Sequence, residues 1–202
     1  MTQPNQFEKA ILDAAREAQY FHMDMTDGWY LSYSHESFLQ NFIAFELFNK
    51  TDHWVNIDPS RKKIRQEIGT YGRRPGSQLL QQRFDLVVWK KSSLGVKAVI
   101  EIKIKGGSER VLQDVNKVRG FLKTTHGQKA YGYVLYYTDK KRSKTGIGTE
   151  GRDLQFIGSR FTKIDENIRP HSRSQTGLRH RATDYVQIHE LDDPWGFALF
   201  RC

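Results

Sequence analysis

The spacing of apolar residues along the chain predicts three helices. In residues 5–20 the apolar positions recur every three or four residues, which is typical of an amphipathic helix. A second helix is predicted to begin at Ser34, a residue type that caps helix N-termini, because a similar apolar stripe follows it. A third helix is predicted from Ser108, where aliphatic residues again recur at core spacing as far as Leu122.

Other segments have the composition and alternation of β-strands. Residues 83–89, 97–105 and 130–138 are rich in β-branched and aromatic residues, and residues 63–69 alternate well enough for a strand. Two more, 183–191 and 196–201, are predicted to close the chain. Residues 139–181 are polar, basic and weakly patterned, so no element is predicted there.

The order of these elements predicts a mixed α/β fold in a single domain, residues 1–202. The predicted core spans about residues 34–139 and has the order helix, strand, strand, strand, helix, strand. The helix at 5–20 precedes this core, and residues 140–202 form a C-terminal extension that contains β-strands.

Composition narrows the class of protein. The chain has 202 residues, of which 38% are hydrophobic, a balance typical of soluble globular proteins. No apolar run approaches the roughly 20 residues that cross a bilayer, and the N-terminus lacks the layout of a signal peptide. The one cysteine, Cys202, excludes a disulfide framework. We therefore expect a cytoplasmic protein with no membrane partner.

The charge balance is strongly basic, with 32 Lys and Arg residues against 23 Asp and Glu and a net charge of +9. A surplus of this size favours a polyanionic partner, with nucleic acid as the first candidate. The alternative is a basic protein that is merely soluble. If nucleic acid is bound, the basic residues predicted to contact its phosphates are Arg73, Arg74, Lys117, Arg61 and Lys62.

The hairpin between residues 83 and 105 carries the most informative side chains. If its turn is centred near Ser93, Asp85 lies opposite Glu101 on the neighbouring strand. Lys103 shares the face of Glu101, because alternate residues of a strand point to the same side. The alternate residues of the same strand, including Ile102, are all apolar and form its opposite face.

Two carboxylates at cross-strand distance repel each other unless a cation lies between them. Mg²⁺ accepts carboxylate oxygens, backbone carbonyls and waters, so Asp85, Glu101 and the carbonyl of Ile102 are predicted to supply part of a magnesium site. Such an ion would polarise a phosphate and help to ionise a water, while Lys103 would orient that water. The alternative is an ordinary solvated face of salt bridges.

Asp85 followed sixteen residues later by Glu101-Ile102-Lys103 resembles the PD-(D/E)xK nuclease superfamily, whose fold is the restriction-endonuclease-like core. The resemblance implies that Asp85 and Glu101 bind Mg²⁺, with Mn²⁺ as a substitute, and that Lys103 assists the attacking water. It also implies a glutamate on the first core helix, for which Glu36 fits better than Glu46. Phe84 departs from the family pattern, since it stands where that pattern has proline.

The resemblance implies a metal-dependent endonuclease acting on DNA, with double-stranded DNA favoured and a homodimer as a candidate assembly. Two alternatives remain open. In the first, the chain is a nucleic-acid-binding module that kept the fold and lost the catalytic activity. In the second, it is a basic protein-interaction subunit. The preference for DNA over RNA and the recognised sequence are also open.

Overall fold

The computed structural model describes residues 5–60, 62–64, 82–92, 95–124, 127, 129–139, 150–173, 185–189 and 195–202. Its main helices are α1 (Gln6–Met25), α2 (Glu36–Lys50), α3 (Ser108–Leu122) and α4 (Glu150–Arg173). Its strands are β1 (His53–Ile57), β2 (Leu86–Lys90), β3 (Val96–Ile104), β4 (Tyr131–Asp139), β5 (Tyr185–His189) and β6 (Trp195–Arg201). The fold class is mixed α/β, as predicted.

These strands form one sheet in the order β1-β2-β3-β4-β6-β5. β3 and β4 are parallel and are joined through α3, while the other neighbouring pairs are antiparallel. Because parallel strands end at the same edge of a sheet, the carboxyl ends of β3 and β4 lie side by side near the start of α3. From α2 to β4 the elements follow the predicted order of helix, three strands, helix and strand.

Helices cover both faces of the sheet, and alternate residues of its central strands pack against opposite layers. On β2, Leu86 and Val88 belong to the hydrophobic cluster that contains α1 and α2. Val87 and Trp89 belong to a second cluster that contains α3 and α4. The continuous apolar character of β2 follows from this burial on both faces.

A buried ion pair anchors α1 to the sheet. Asn5 caps the helix by accepting a hydrogen bond of 2.9 Å from the backbone amide of Glu8, whose side chain accepts one from the Asn5 amide in return. The fully buried Glu8 carboxylate also accepts hydrogen bonds from Arg201 on β6 and from the hydroxyl of Tyr133 on β4. The helix is longer than the predicted 5–20 and continues to Met25, and the Arg201 contact joins its first turn to β6.

Two predictions of element boundaries are wrong. The helix α2 begins at Glu36 after His35, and Ser34 donates its hydroxyl to the His35 carbonyl instead of capping the helix. The first strand of the sheet is β1, whereas Lys63 and Ile64 of the predicted strand at 63–69 are helical and residues 65–69 lie outside the described residues. β1 is an edge strand whose side chains are half-buried or exposed, so its alternation is weak.

Residues 139–181, for which no element was predicted, contain α4, which occupies 24 residues of this segment. Its buried residues are spaced at helical intervals, as Ile157, Phe161, Ile164 and Ile168. Because many charged residues surround this narrow stripe, the apolar periodicity of the segment is weak in the sequence. The two closing strands are confirmed as β5 and β6, and they join the same sheet as the core strands.

Across the ranges that the structure describes, no helix is both long enough and apolar enough to cross a membrane.

Candidate active site

The register of the β2–β3 hairpin brings Asp85 to Glu101. Leu86 lies opposite Ile100 and Val87 lies opposite Val99, which confirms the register predicted from a turn near residue 93. Asp85 immediately precedes β2, and its Oδ2 accepts a hydrogen bond of 2.6 Å from the backbone amide of Ile102. The Asp85 carboxylate is therefore held beside β3, next to the backbone of Glu101.

The main chain of Asp85 is anchored as well as its side chain. Its carbonyl accepts a hydrogen bond of 2.6 Å from the Gln40 side chain on α2 and one of 2.9 Å from the backbone amide of Asp58. Asp58 follows β1, so three separate elements position this one residue. Such anchoring limits the movement of the Asp85 carboxylate relative to β3.

Glu101 on β3 is buried, with 3% of the residue exposed. Its Oε2 accepts a hydrogen bond of 2.7 Å from Nζ of Lys117 on α3, while its Oε1 is buried without a hydrogen-bond partner. A buried carboxylate oxygen without a partner is costly, since the oxygen has lost its water and gained no donor. This oxygen is therefore the atom of the site best prepared to accept a cation.

Lys103, two residues further along β3, contacts two other carboxylates. Its Nζ lies 3.1 Å from Oε1 of Glu36 and 3.8 Å from Oδ2 of Asp114. Glu36 also accepts a hydrogen bond of 3.0 Å from the backbone amide of Ile104, which fixes the start of α2 against the end of β3. Glu46 instead pairs with Lys50 at 2.7 Å on α2 itself. Of the two helix glutamates considered, the fold brings Glu36 to Lys103.

Asp114 was not predicted as a site residue. It lies one turn before Lys117 on α3, so a residue pair at positions 114 and 117 on one helix face was the signal that could have identified it. Its Oδ2 is buried and has no hydrogen-bond partner, and its contact with Lys103 is electrostatic. The side-chain cluster thus consists of the carboxylates of Asp85, Glu101, Glu36 and Asp114 with the ammonium groups of Lys103 and Lys117. We refer to it below as the acid–lysine cluster.

Burial and mutual repulsion shift the pKa values within the acid–lysine cluster. Burial, reinforced by the charge of Asp85, raises the pKa of Glu101 to about 8, although Lys117 opposes this rise. Burial also raises the pKa of Asp85, against the effect of the Ile102 amide. For Lys103 burial acts to lower the pKa, but the nearby Glu36 and Asp114 outweigh it and the pKa is raised. The cluster contains four carboxyl groups and two ammonium groups, so its acidic groups outnumber its basic ones.

The chemistry of these residues fits a hard divalent ion. Among the described residues no group of three or more His, Cys, Asp or Glu side chains is placed to hold a metal ion by itself. Mg²⁺ does not need such a cage, since it commonly binds through one or two carboxylates and completes its shell with water and substrate phosphates. Asp85 and the unpartnered Oε1 of Glu101 would provide those carboxylates, with the carbonyl of Ile102 as the predicted third ligand.

The predicted nucleic-acid contacts divide into three groups. Lys117 lies inside the acid–lysine cluster and is paired with Glu101. Lys62 is exposed at a short helical segment, residues 62–64. Arg61, Arg73 and Arg74 lie outside the described residues.

Comparison with known proteins adds no relative from which a function could be transferred. A scan of family models and searches of curated proteins and of solved structures found no match to this chain. The functional interpretation therefore rests on the residues of the acid–lysine cluster and on their geometry.

Proposed function

We propose that this protein is a divalent-metal-dependent nuclease that hydrolyses DNA phosphodiester bonds on a restriction-endonuclease-like core. The observation that carries the proposal is the placement of Asp85 on the Ile102 amide, beside a buried Glu101 whose Oε1 has no partner. Lys103 projects from the same strand two residues later. Two carboxylates and an amine in this arrangement match the chemistry of metal-assisted phosphodiester hydrolysis.

Asp85 and Glu101 would hold Mg²⁺, or Mn²⁺ in its place. When bound, the ion would supply Lewis-acid polarisation of the phosphate and a lowered pKa for a water molecule. Lys103 would donate a hydrogen bond to the attacking water or to the phosphate oxygens that gain charge during the reaction. It remains charged for this role, because Glu36 and Asp114 raise its pKa. Glu36 is thus a positioning residue that aims Lys103.

The net charge of +9 supports a polyanionic substrate. We extend the proposal to double-stranded DNA as the substrate and to a homodimer that presents one site to each strand. The exposed Lys62 would contact phosphates outside the site, together with Arg61, Arg73 and Arg74.

One observation favours a second candidate, a DNA-binding module without catalysis. The pairs Lys117–Glu101 at 2.7 Å and Lys103–Glu36 at 3.1 Å already compensate much of the charge without a metal ion. A fold that had lost its chemistry would need internal neutralisation of this kind. The unpartnered Oε1 of Glu101 is the feature that weighs against this candidate.

Cleavage of supercoiled plasmid in the presence of Mg²⁺, Mn²⁺ or EDTA tests the proposal. We expect metal-dependent cutting that is lost in Asp85→Asn, Glu101→Gln and Lys103→Met, while DNA binding is retained. Glu36→Gln should slow cleavage, whereas the matched change Glu46→Gln on the same helix should not, because Glu46 pairs with Lys50 away from the cluster.

Other outcomes separate the alternatives. Salt-sensitive DNA binding with no cutting under any ion would favour the binding module, since counterion release requires only phosphate contacts. Neither binding nor cutting would favour a basic protein-interaction subunit.

A further inference from the structure

Lys117 occupies a central place in the acid–lysine cluster. Its Nζ lies 2.7 Å from Oε2 of Glu101 and 5.4 Å from the centre of the Phe84 ring. Phe84 is the chain neighbour of Asp85, so the Lys117 ammonium contacts both segments that carry the proposed metal ligands. Its side chain is 23% exposed, whereas that of Glu101 is 4% exposed. The Glu101 carboxylate is therefore buried in the protein, whereas the Lys117 ammonium can reach solvent.

Lys103 offers an internal comparison. Its side chain is also 23% exposed, but its partners are Glu36 and Asp114. Of the two lysines, Lys117 is the one that forms an ion pair with Glu101. A divalent ion on Glu101 would lie close to the ammonium of Lys117, and like charges at such a separation repel each other.

We infer that in the metal-free protein the Lys117 ammonium occupies the position of the divalent cation, and that it moves to a backbone phosphate of DNA once the ion binds. This inference rests on the proposed function. Oε1 of Glu101 has no partner, so an incoming ion can bind this oxygen while Lys117 still holds Oε2. The flexible four-carbon stem of lysine then allows the ammonium to leave towards solvent. Binding of the metal and binding of phosphate are coupled through this one side chain.

The change Lys117→Met tests the first half of the inference. Methionine keeps an unbranched stem against Phe84 but removes the competing charge. We expect Mn²⁺ to bind this variant roughly tenfold more tightly than the wild type in calorimetric titrations without DNA, because no ion pair has to be broken. Lys105→Met is the matched control, because Lys105 pairs with Asp139 and not with the acid–lysine cluster, and it should change Mn²⁺ affinity less than about threefold. Lys117→Arg should bind Mn²⁺ as weakly as the wild type.

Melting temperatures provide a second readout. Without metal, Lys117→Met should melt below the wild type, because Glu101 loses its partner. With saturating Mn²⁺ the two melting temperatures should converge, since the ion then supplies the missing charge. If Lys117→Met does not fold, Lys117→Gln serves for the same comparisons.

DNA affinity tests the second half. With Ca²⁺ as the bound ion, Lys117→Met should bind DNA more weakly than the wild type, and in EDTA the two should bind equally. Mn²⁺ affinity unchanged or weakened in Lys117→Met, or a DNA-affinity loss of equal size with and without Ca²⁺, would overturn the inference and leave the proposed nuclease intact. Absence of Mn²⁺ binding in the wild type and in every variant would overturn the metal site and both proposals with it.

Discussion

Replacing Glu101 with glutamine should remove a large pH-dependent loss of stability from the metal-free protein. Burial and the charge of Asp85 raise the pKa of Glu101 from its ordinary 4.5 to about 8. The folded state therefore retains a proton on this carboxyl over a pH range in which the unfolded chain releases it. The stability that this proton contributes is fully present below about pH 4.5 and is lost as the pH rises towards 8.

The size of the effect follows from the distance between the two pKa values. Each pH unit between them is worth ~1.4 kcal/mol, so the free energy of unfolding of the wild type should fall by about 3 kcal/mol between pH 5 and pH 8 on account of Glu101 alone. Solvent screens this effect little, because only 4% of the Glu101 side chain is exposed. The Lys117 ammonium lowers the pKa of Glu101, and the value of about 8 already includes this opposing effect.

Urea denaturation in EDTA at a series of pH values measures this difference. The wild-type free energy of unfolding, minus that of Glu101→Gln, should decrease steadily from pH 5 to pH 8, so that the variant is relatively most stable at the alkaline end. Glu46→Gln is the matched control for the substitution itself, because Glu46 pairs with Lys50 on α2 and not with the acid–lysine cluster. Parallel curves for the wild type and Glu101→Gln would refute the reasoning.

Two further substitutions and one labelling experiment test the packing of the fold. Glu8→Gln should lower the free energy of unfolding by about 3 kcal/mol in urea titrations, because it removes the charge of a fully buried carboxylate that accepts hydrogen bonds from Arg201 and Tyr133; a loss below about 1 kcal/mol would contradict this. Gly132→Ala should cost about 1–3 kcal/mol by the same measurement, since a Cβ atom there would lie 2.3 Å from Cγ1 of Val118, and an unchanged stability would be the contrary result. Burial raises the pKa of the Cys202 thiol to about 12, so a thiol reagent at pH 8 should label it only as fast as the protein opens. Rapid labelling of the folded protein would contradict that burial.

Local sequence pattern was sufficient where an element is apolar on a regular period. The helix from Ser108 to Leu122 was predicted correctly, because its buried residues recur at helical spacing against the sheet. The β2–β3 pairing was predicted from the position of one turn, since a two-residue periodicity leaves few registers that keep the apolar faces together. The same argument predicts Asp85 beside Glu101, and Asp85 accepts a hydrogen bond from the amide of the next residue, Ile102.

Pattern was insufficient for elements that are only partly buried. β1 lies at the edge of the sheet and carries exposed residues such as Trp54 and Ile57, so it lacks a clear alternation. In α4 a narrow buried stripe is surrounded by charged residues. In both elements tertiary packing, and not local propensity, selects the conformation.

The sequence by itself determined the mixed α/β order, the hairpin register and the pair Asp85 and Glu101, because each of these depends on neighbouring residues along the chain. Only the tertiary structure decided that Glu36 and not Glu46 reaches Lys103, and that Lys117 holds Glu101. The first of these pairs joins residues that are 67 positions apart. Contacts of this kind arise from how helices pack across the faces of a sheet, and no local spacing encodes that arrangement.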